Sequence, residues 1–191
     1  DAGYKVVLSG LGGDELFAGY PSFKAVPKLK RLALVALPLW PLAAFLRLAA
    51  WRTLTAKGRR ILDVLYRPFS KTAAYYGFRA VFSEQEAKAV QTMQGLTASA
   101  YKLPSSISND PSLYELNAYM RNQLLRDSDI MSMAWSLELR VPLVDTAFFH
   151  NVMQINPALR LESGKKLLID AVPELPEWVI NQPKRGFRFP F

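Results

Sequence analysis

The residues best suited to chemistry lie near the start of the chain, in Ser9-Gly10-Leu11-Gly12-Gly13-Asp14-Glu15. Glycines at 10, 12 and 13 let backbone N–H groups approach an anion with no Cβ in the way. A hard cation beside phosphates needs carboxylate oxygens such as those of Asp14. The chemistry suggested is nucleotide and metal binding. By itself the pattern is weak, because tight turns use the same residues and the loop is neither a Walker A sequence nor a dinucleotide fingerprint.

Two later segments also carry candidates. Leu124 to Asp145 holds paired acids, including Asp129, and a Glu138, Arg140 and Asp145 group; the alternation of Leu137, Leu139 and Val141 argues that these charges chiefly fix a turn by ion pairing. Leu175 to Phe187 places Lys184 between Pro183 and Gly186, where a cation held by backbone constraints suits charge developing on a transferring phosphate. His150, the only histidine, reads as a helix-surface or partly packed residue and is left out of the site. Tyr75, Tyr76 and Phe78 sit among alanines and read as helix packing, not as a platform for bases.

These residues need elements to position them. Tyr4 to Leu8 is rich in β-formers and reads as a buried strand of a parallel sheet, with Asp14 to Ala18 starting a helical turn after the glycines. That order puts the loop beyond the carboxyl end of a strand, where open α/β sheets bind ligands. Lys28 to Trp51 is strongly apolar, but Pro38, Pro41 and Arg47 leave pieces too short to span a bilayer, and two short buried helices joined at the prolines are expected. Arg59 to Tyr66 and Lys71 to Ala80 read as helices separated by Pro68, and Ser83-Glu84-Gln85-Glu86 has the form of a capping box opening another. Leu103 to Pro111 reads as a loop and Ser112 to Met133 as a long helix. The tail alternates short helical stretches with prolines and is more extended.

Composition bounds these readings. The chain has 191 residues, half of them hydrophobic, which suits one domain or part of one. Its net charge is +8, from 24 Lys and Arg against 16 Asp and Glu, yet the basic residues are scattered, which argues against nucleic-acid binding. With no cysteine, neither a disulfide framework nor a thiolate centre is available. The start, Asp1-Ala2-Gly3-Tyr4, runs directly into strand-like sequence with no visible signal peptide, so the chain reads as cut from something longer.

Taken together, the three segments resemble the asparagine synthetase family: the Ser-Gly-x-Gly-x-Asp-Glu loop with its Leu-Phe-x-Gly-Tyr continuation, Met-Ser-Met-Ala-x-Ser-Leu-Glu-x-Arg-Val-Pro-x-x-Asp, and Leu-Pro followed by Lys-x-Gly-Phe. Only residues 28 to 100 match weakly. The resemblance implies the C-terminal part of a synthetase domain over residues 1–191, mainly α with a short N-terminal strand, belonging to an adenine nucleotide alpha hydrolase-like α/β domain. It implies ATP and Mg2+ as cofactors, a small carboxylate substrate such as aspartate or an analogue, activation as an acyl-adenylate, and attack by ammonia released from glutamine. Ser9, Gly10, Gly12 and Gly13 would bind the nucleotide, Asp14 would be a magnesium ligand, and Lys184 would be catalytic. Glu138, Arg140 and Asp129 would support the site.

Two departures qualify the resemblance. Leu11 stands where asparagine-forming members carry Glu or Asp, and leucine neither accepts a proton nor orients ammonia. The family's Ser-Gly-Gly-x-Asp-Ser nucleotide loop and the glutaminase cysteine are absent from these residues, so the chain alone is expected to be inactive without those segments. The expected setting is cytoplasmic, without nucleic acid or membrane as partners, and the open sheet edge makes a homodimer an expected partner. The competing readings are a membrane-associated or scaffold helical module built on Lys28 to Arg60, and a related ATP-pyrophosphatase acting on RNA.

Overall fold

The computed structural model describes residues 3–70, 72–95 and 110–183. Strand β1 (Val6–Leu8) is joined in parallel by β2 (Glu138–Arg140), with Val6 opposite Glu138, Val7 opposite Leu139 and Leu8 opposite Arg140. The expectation of one strand is therefore corrected to a two-stranded sheet. The alternation of Leu137, Leu139 and Val141, read as a turn, is the period of β2. Nor is β1 buried, since Val6 is 40% and Leu8 75% exposed; among the described residues it has one neighbouring strand and only the middle residue Val7 is partly shielded.

Helix α1 (Gly13–Leu16) follows the loop and ends at Phe17, short of the expected Ala18, which takes positive φ instead. Next come α2 (Ser22–Val35), α3 (Trp40–Ala49), α4 (Ala56–Tyr66), α5 (Ala73–Arg79) and α6 (Glu84–Met93). Ser83 forms the foreseen capping box: its Oγ accepts from Glu86 N and its own N–H donates to the Glu86 carboxylate. The loop read at Leu103 to Pro111 lies mostly outside the described residues.

The long helix read at Ser112 to Met133 is continuous, running through α7 (Pro111–Tyr114), a wider i→i+5 stretch at Glu115–Leu124, and α8 (Leu125–Met133). Asp110 caps its start by accepting from Ser112 N. This helix serves two cores. Tyr114 packs with Val26, Ala33, Val64 and Tyr75, while Leu116 and Met120 pack with Leu16, Phe17 and Val152. The remainder holds α9 (Thr146–Met153), capped by Asp145, and the short α10 (Pro157–Arg160), α11 (Lys166–Asp170) and α12 (Glu177–Ile180).

The apolar run at Lys28 to Trp51 forms two helices joined by a tight turn at Leu37–Leu39, but they are not buried. Ala33 and Ala43 face inward, whereas Leu39, Trp40, Leu42, Phe45 and Leu48 stand exposed, because Arg47 takes the inward face of α3 to reach Asp63. Tyr75 is core as expected; Tyr76 and Phe78, on other faces of the short α5, are exposed. Among the described residues no single helix is long and apolar enough to cross a membrane.

Candidate functional site

The loop leaves β1 still attached to β2, because Ser9 N–H donates to Arg140 O at 2.9 Å. Ser9 Oγ then accepts from Leu11 N–H at 3.4 Å, and Gly13 N–H donates to Gly10 O at 3.2 Å, closing the turn. The glycines do different work. Gly12 has φ +95°, and a Cβ there would come within 2.8 Å of Val144 Cγ2 and 3.3 Å of Leu143 O. A Cβ on Gly13 would lie 3.1 Å from Leu143 Cδ1. Both permit the loop to close onto the Pro142–Val144 turn that follows β2. At Gly10 a Cβ would meet nothing within 4 Å, so this is the glycine whose backbone faces open space.

Asp14 is held from two sides. Its Oδ1 lies 2.7 Å from Lys165 Nζ, and it fills the space at Gly19, where a Cβ would fall 1.9 Å from the same oxygen. Lys165 was not legible as a site residue; it reaches Asp14 because Gly164 and Lys165 both take positive φ before α11. Among the described residues no group of three or more His, Cys, Asp or Glu is arranged to hold a metal ion. A single carboxylate nevertheless fits magnesium, which keeps waters and phosphate oxygens and asks for only one or two protein carboxylates.

The neighbouring Glu15 belongs to the interior. It is buried, and Tyr20 OH donates to its Oε1 at 2.8 Å. Burial pushes its carboxyl above the ordinary range, with the Tyr20 hydrogen bond opposing. Burial likewise pushes the Tyr20 hydroxyl up, the Glu15 charge adding to it. The Arg79 guanidinium lies against both the Tyr20 and Tyr119 rings, 4.4 Å and 4.2 Å from their centroids, and forks onto the buried Glu115 with Nη2 at 2.8 Å. Glu115 also accepts from Tyr75 OH at 3.2 Å and from Ser22 Oγ. On the other side the buried Arg160 donates to Leu16 O at 2.7 Å, to Ser112 Oγ at 2.8 Å and to Asp110. The short α1 is thereby clamped to the long helix and to α10. Sequence spacing gave no signal for these contacts, which join residues far apart in the chain.

The expected site residues thus divide. Ser9, Gly10, Gly12, Gly13 and Asp14 share one turn at the end of β1. Glu138 and Arg140 flank it on β2, joined to one another by a 2.8 Å ion pair on the exposed face. Asp129 is exposed on α8. Lys184 lies outside the described residues.

A two-stranded parallel ladder whose first strand opens into a glycine turn and an acidic helix start is the carboxyl-end loop arrangement of α/β ligand-binding domains. The asparagine synthase family profile matches residues 1–191, and the chain belongs to that family. It is 30% identical, over 97% of its own length, to asparagine synthetase [glutamine-hydrolyzing] 1 of Bacillus subtilis strain 168. It is equally 30% identical, again over 97% of its length, to putative glutamine-hydrolysing asparagine synthetases of Mycobacterium bovis and of Mycobacterium tuberculosis H37Rv. It spans 30% of the length of these relatives. No solved structure matches the chain significantly.

Proposed function

We propose that this chain is the C-terminal part of the synthetase domain of a glutamine-dependent, ATP-using amide-forming enzyme, within an adenine nucleotide alpha hydrolase-like α/β fold. The observation carrying the reading is the direct pairing of β1 with β2, which brings two of the three family-like segments together at one loop. A small carboxylate is activated by ATP as an acyl-adenylate, and ammonia released from glutamine attacks it to form the amide. Ser9, Gly10, Gly12 and Gly13 contribute to nucleotide binding: the Ser9 and Gly13 N–H groups hold the turn through Arg140 O and Gly10 O, and Gly10 has the open approach. Asp14 supplies a carboxylate to the magnesium that accompanies the phosphates. Magnesium, when bound, would offset phosphate charge, and Lys165, 2.7 Å from Asp14 Oδ1, holds the carboxylate in place. Lys184 stabilises charge during adenylation. The acceptor is a small carboxylate, aspartate or an analogue of it, and Leu11, standing where asparagine-forming members carry a carboxylate, favours an analogue.

The test is carboxylate-dependent ATP–pyrophosphate exchange by the full-length protein, with aspartate and related acids as acceptors. The expected result is exchange with at least one of them, lost in Lys184→Ala, and none from the 191-residue chain alone. Exchange by the isolated chain, or by Lys184→Ala at the wild-type rate, would overturn the assignment.

A further inference from the structure

The outward face of α3 is the reverse of an ordinary surface helix. Its one ionic residue, Arg47, points inward, with Nε 3.3 Å from Oδ1 of the buried Asp63 and Nη2 3.5 Å from Glu84. Ala43, one turn earlier on that face, is the buried position of the helix. Leu42, Phe45 and Leu48, at three-residue spacing on the opposite side, are 53%, 63% and 87% exposed. A surface helix of a soluble domain normally turns such residues to the core and its charges to water.

Apolar and aromatic side chains are also exposed at the elbow itself, Leu39 and Trp40 among them. Pro38 and Pro41 accompany a 66° bend between Ser22–Val35 and Leu37–Ala49, too sharp for a straight span. Trp40 stacks on Tyr66 with ring centroids 6.0 Å apart and donates Nε1–H to Tyr66 O at 3.0 Å. Beside this pair, an open cavity of about 410 Å³ extends to Phe69. Tryptophan and tyrosine in such a place suit the boundary between hydrocarbon and headgroups.

Charge indicates what covers the face. No Asp or Glu occurs between Glu15 and Asp63, although the chain has 16 elsewhere. Lys24, Lys28 and Arg31 stand exposed along one line of α2 that ends at Val35, and Arg52 and Lys57 are exposed just after α3. Cations beside bulky exposed apolar side chains complement an anionic lipid surface.

We propose that the α2–α3 elbow docks on anionic lipid bilayers, with Leu42, Phe45 and Leu48 entering the headgroup boundary and the α2 cations meeting lipid charge. The helices lie in the interface and do not cross it. This reverses the expectation of no membrane partner, which rested on the inability of a proline-broken run to span. It stands whether or not the chain forms amides, because no residue of the loop takes part.

The test is cosedimentation of the 191-residue chain, and of the full-length protein, with vesicles of phosphatidylcholine containing phosphatidylglycerol, and with phosphatidylcholine alone. Binding is expected to the anionic vesicles, weaker by about tenfold or more on the neutral ones and falling with added salt. Leu42→Glu with Phe45→Glu should abolish it, and Lys28→Glu with Arg31→Glu should reduce anionic binding to the neutral level, with helical circular dichroism unchanged. All four positions are exposed, so the fold tolerates these changes. No sedimentation of the full-length protein with anionic vesicles, or undiminished binding by folded Leu42→Glu/Phe45→Glu, would overturn the proposal. Binding by the 191-residue chain but not by the full-length protein would also overturn it, because the rest of the polypeptide would then cover the face.

Discussion

Adjacent carboxylates at the end of β1 have opposite fates. Asp14 is partly exposed and pairs with Lys165, whereas Glu15 is buried under Tyr20. Burial raises the folded-state pKa of Glu15 above its unfolded value, so its contribution to stability is present at low pH and is lost as pH rises through the folded pKa. Glu15→Gln keeps an acceptor for Tyr20 OH while removing the buried charge. Its stability relative to wild type is therefore expected to improve as pH rises from about 4 to neutrality. Urea denaturation at several pH values checks this, and a variant that loses ground with rising pH would contradict the burial argument.

At the scale of elements, the capping box of α6 is the clearest local prediction. The Glu86 carboxylate is held down to about 2, first by the Ser83 hydroxyl and backbone N–H and then by Arg59. That stability is fully present above the unfolded glutamate pKa of about 4.3 and is lost as pH falls toward 2. Ser83→Ala should cost about 1 kcal/mol at neutral pH, read as a shift in urea midpoint, with a smaller penalty in acid where the partner carboxylate is already protonated. Ser83-Glu84-Gln85-Glu86 was legible because a cap is written within a few residues. So were the long helix from 112 to 133 and the turn at Ser9 to Glu15, whose glycines and acids are consecutive. The partner of β1 was not, because the alternation of Leu137, Leu139 and Val141 fits a turn as well as a three-residue strand and the pairing joins residues far apart in sequence. The outward face of α3 was misread for another reason: hydrophobicity says that a helix has an apolar side, not which way a buried ion pair such as Arg47 with Asp63 will turn it.

Across the whole molecule, the loop is tied to both cores through buried charges that pair at long range. Glu115 gathers Arg79, Tyr75 and Ser22, and Arg79 carries the tie to Tyr20 and so to Glu15. Glu115→Ala leaves a guanidinium half-buried without its carboxylate, for an expected loss of about 3–5 kcal/mol measured by thermal or urea unfolding. Glu138→Ala breaks only an exposed pair and should change stability by less than about 0.5 kcal/mol in the same assay. On the proposed function, the Ser9 to Glu15 loop would act on magnesium and ATP through Asp14. The direct measurement is magnesium-dependent ATP–pyrophosphate exchange by the full-length protein carrying Asp14→Ala, with folding confirmed by circular dichroism. A loss of about 10²-fold or more is expected. Exchange at the wild-type rate by the folded variant would contradict it.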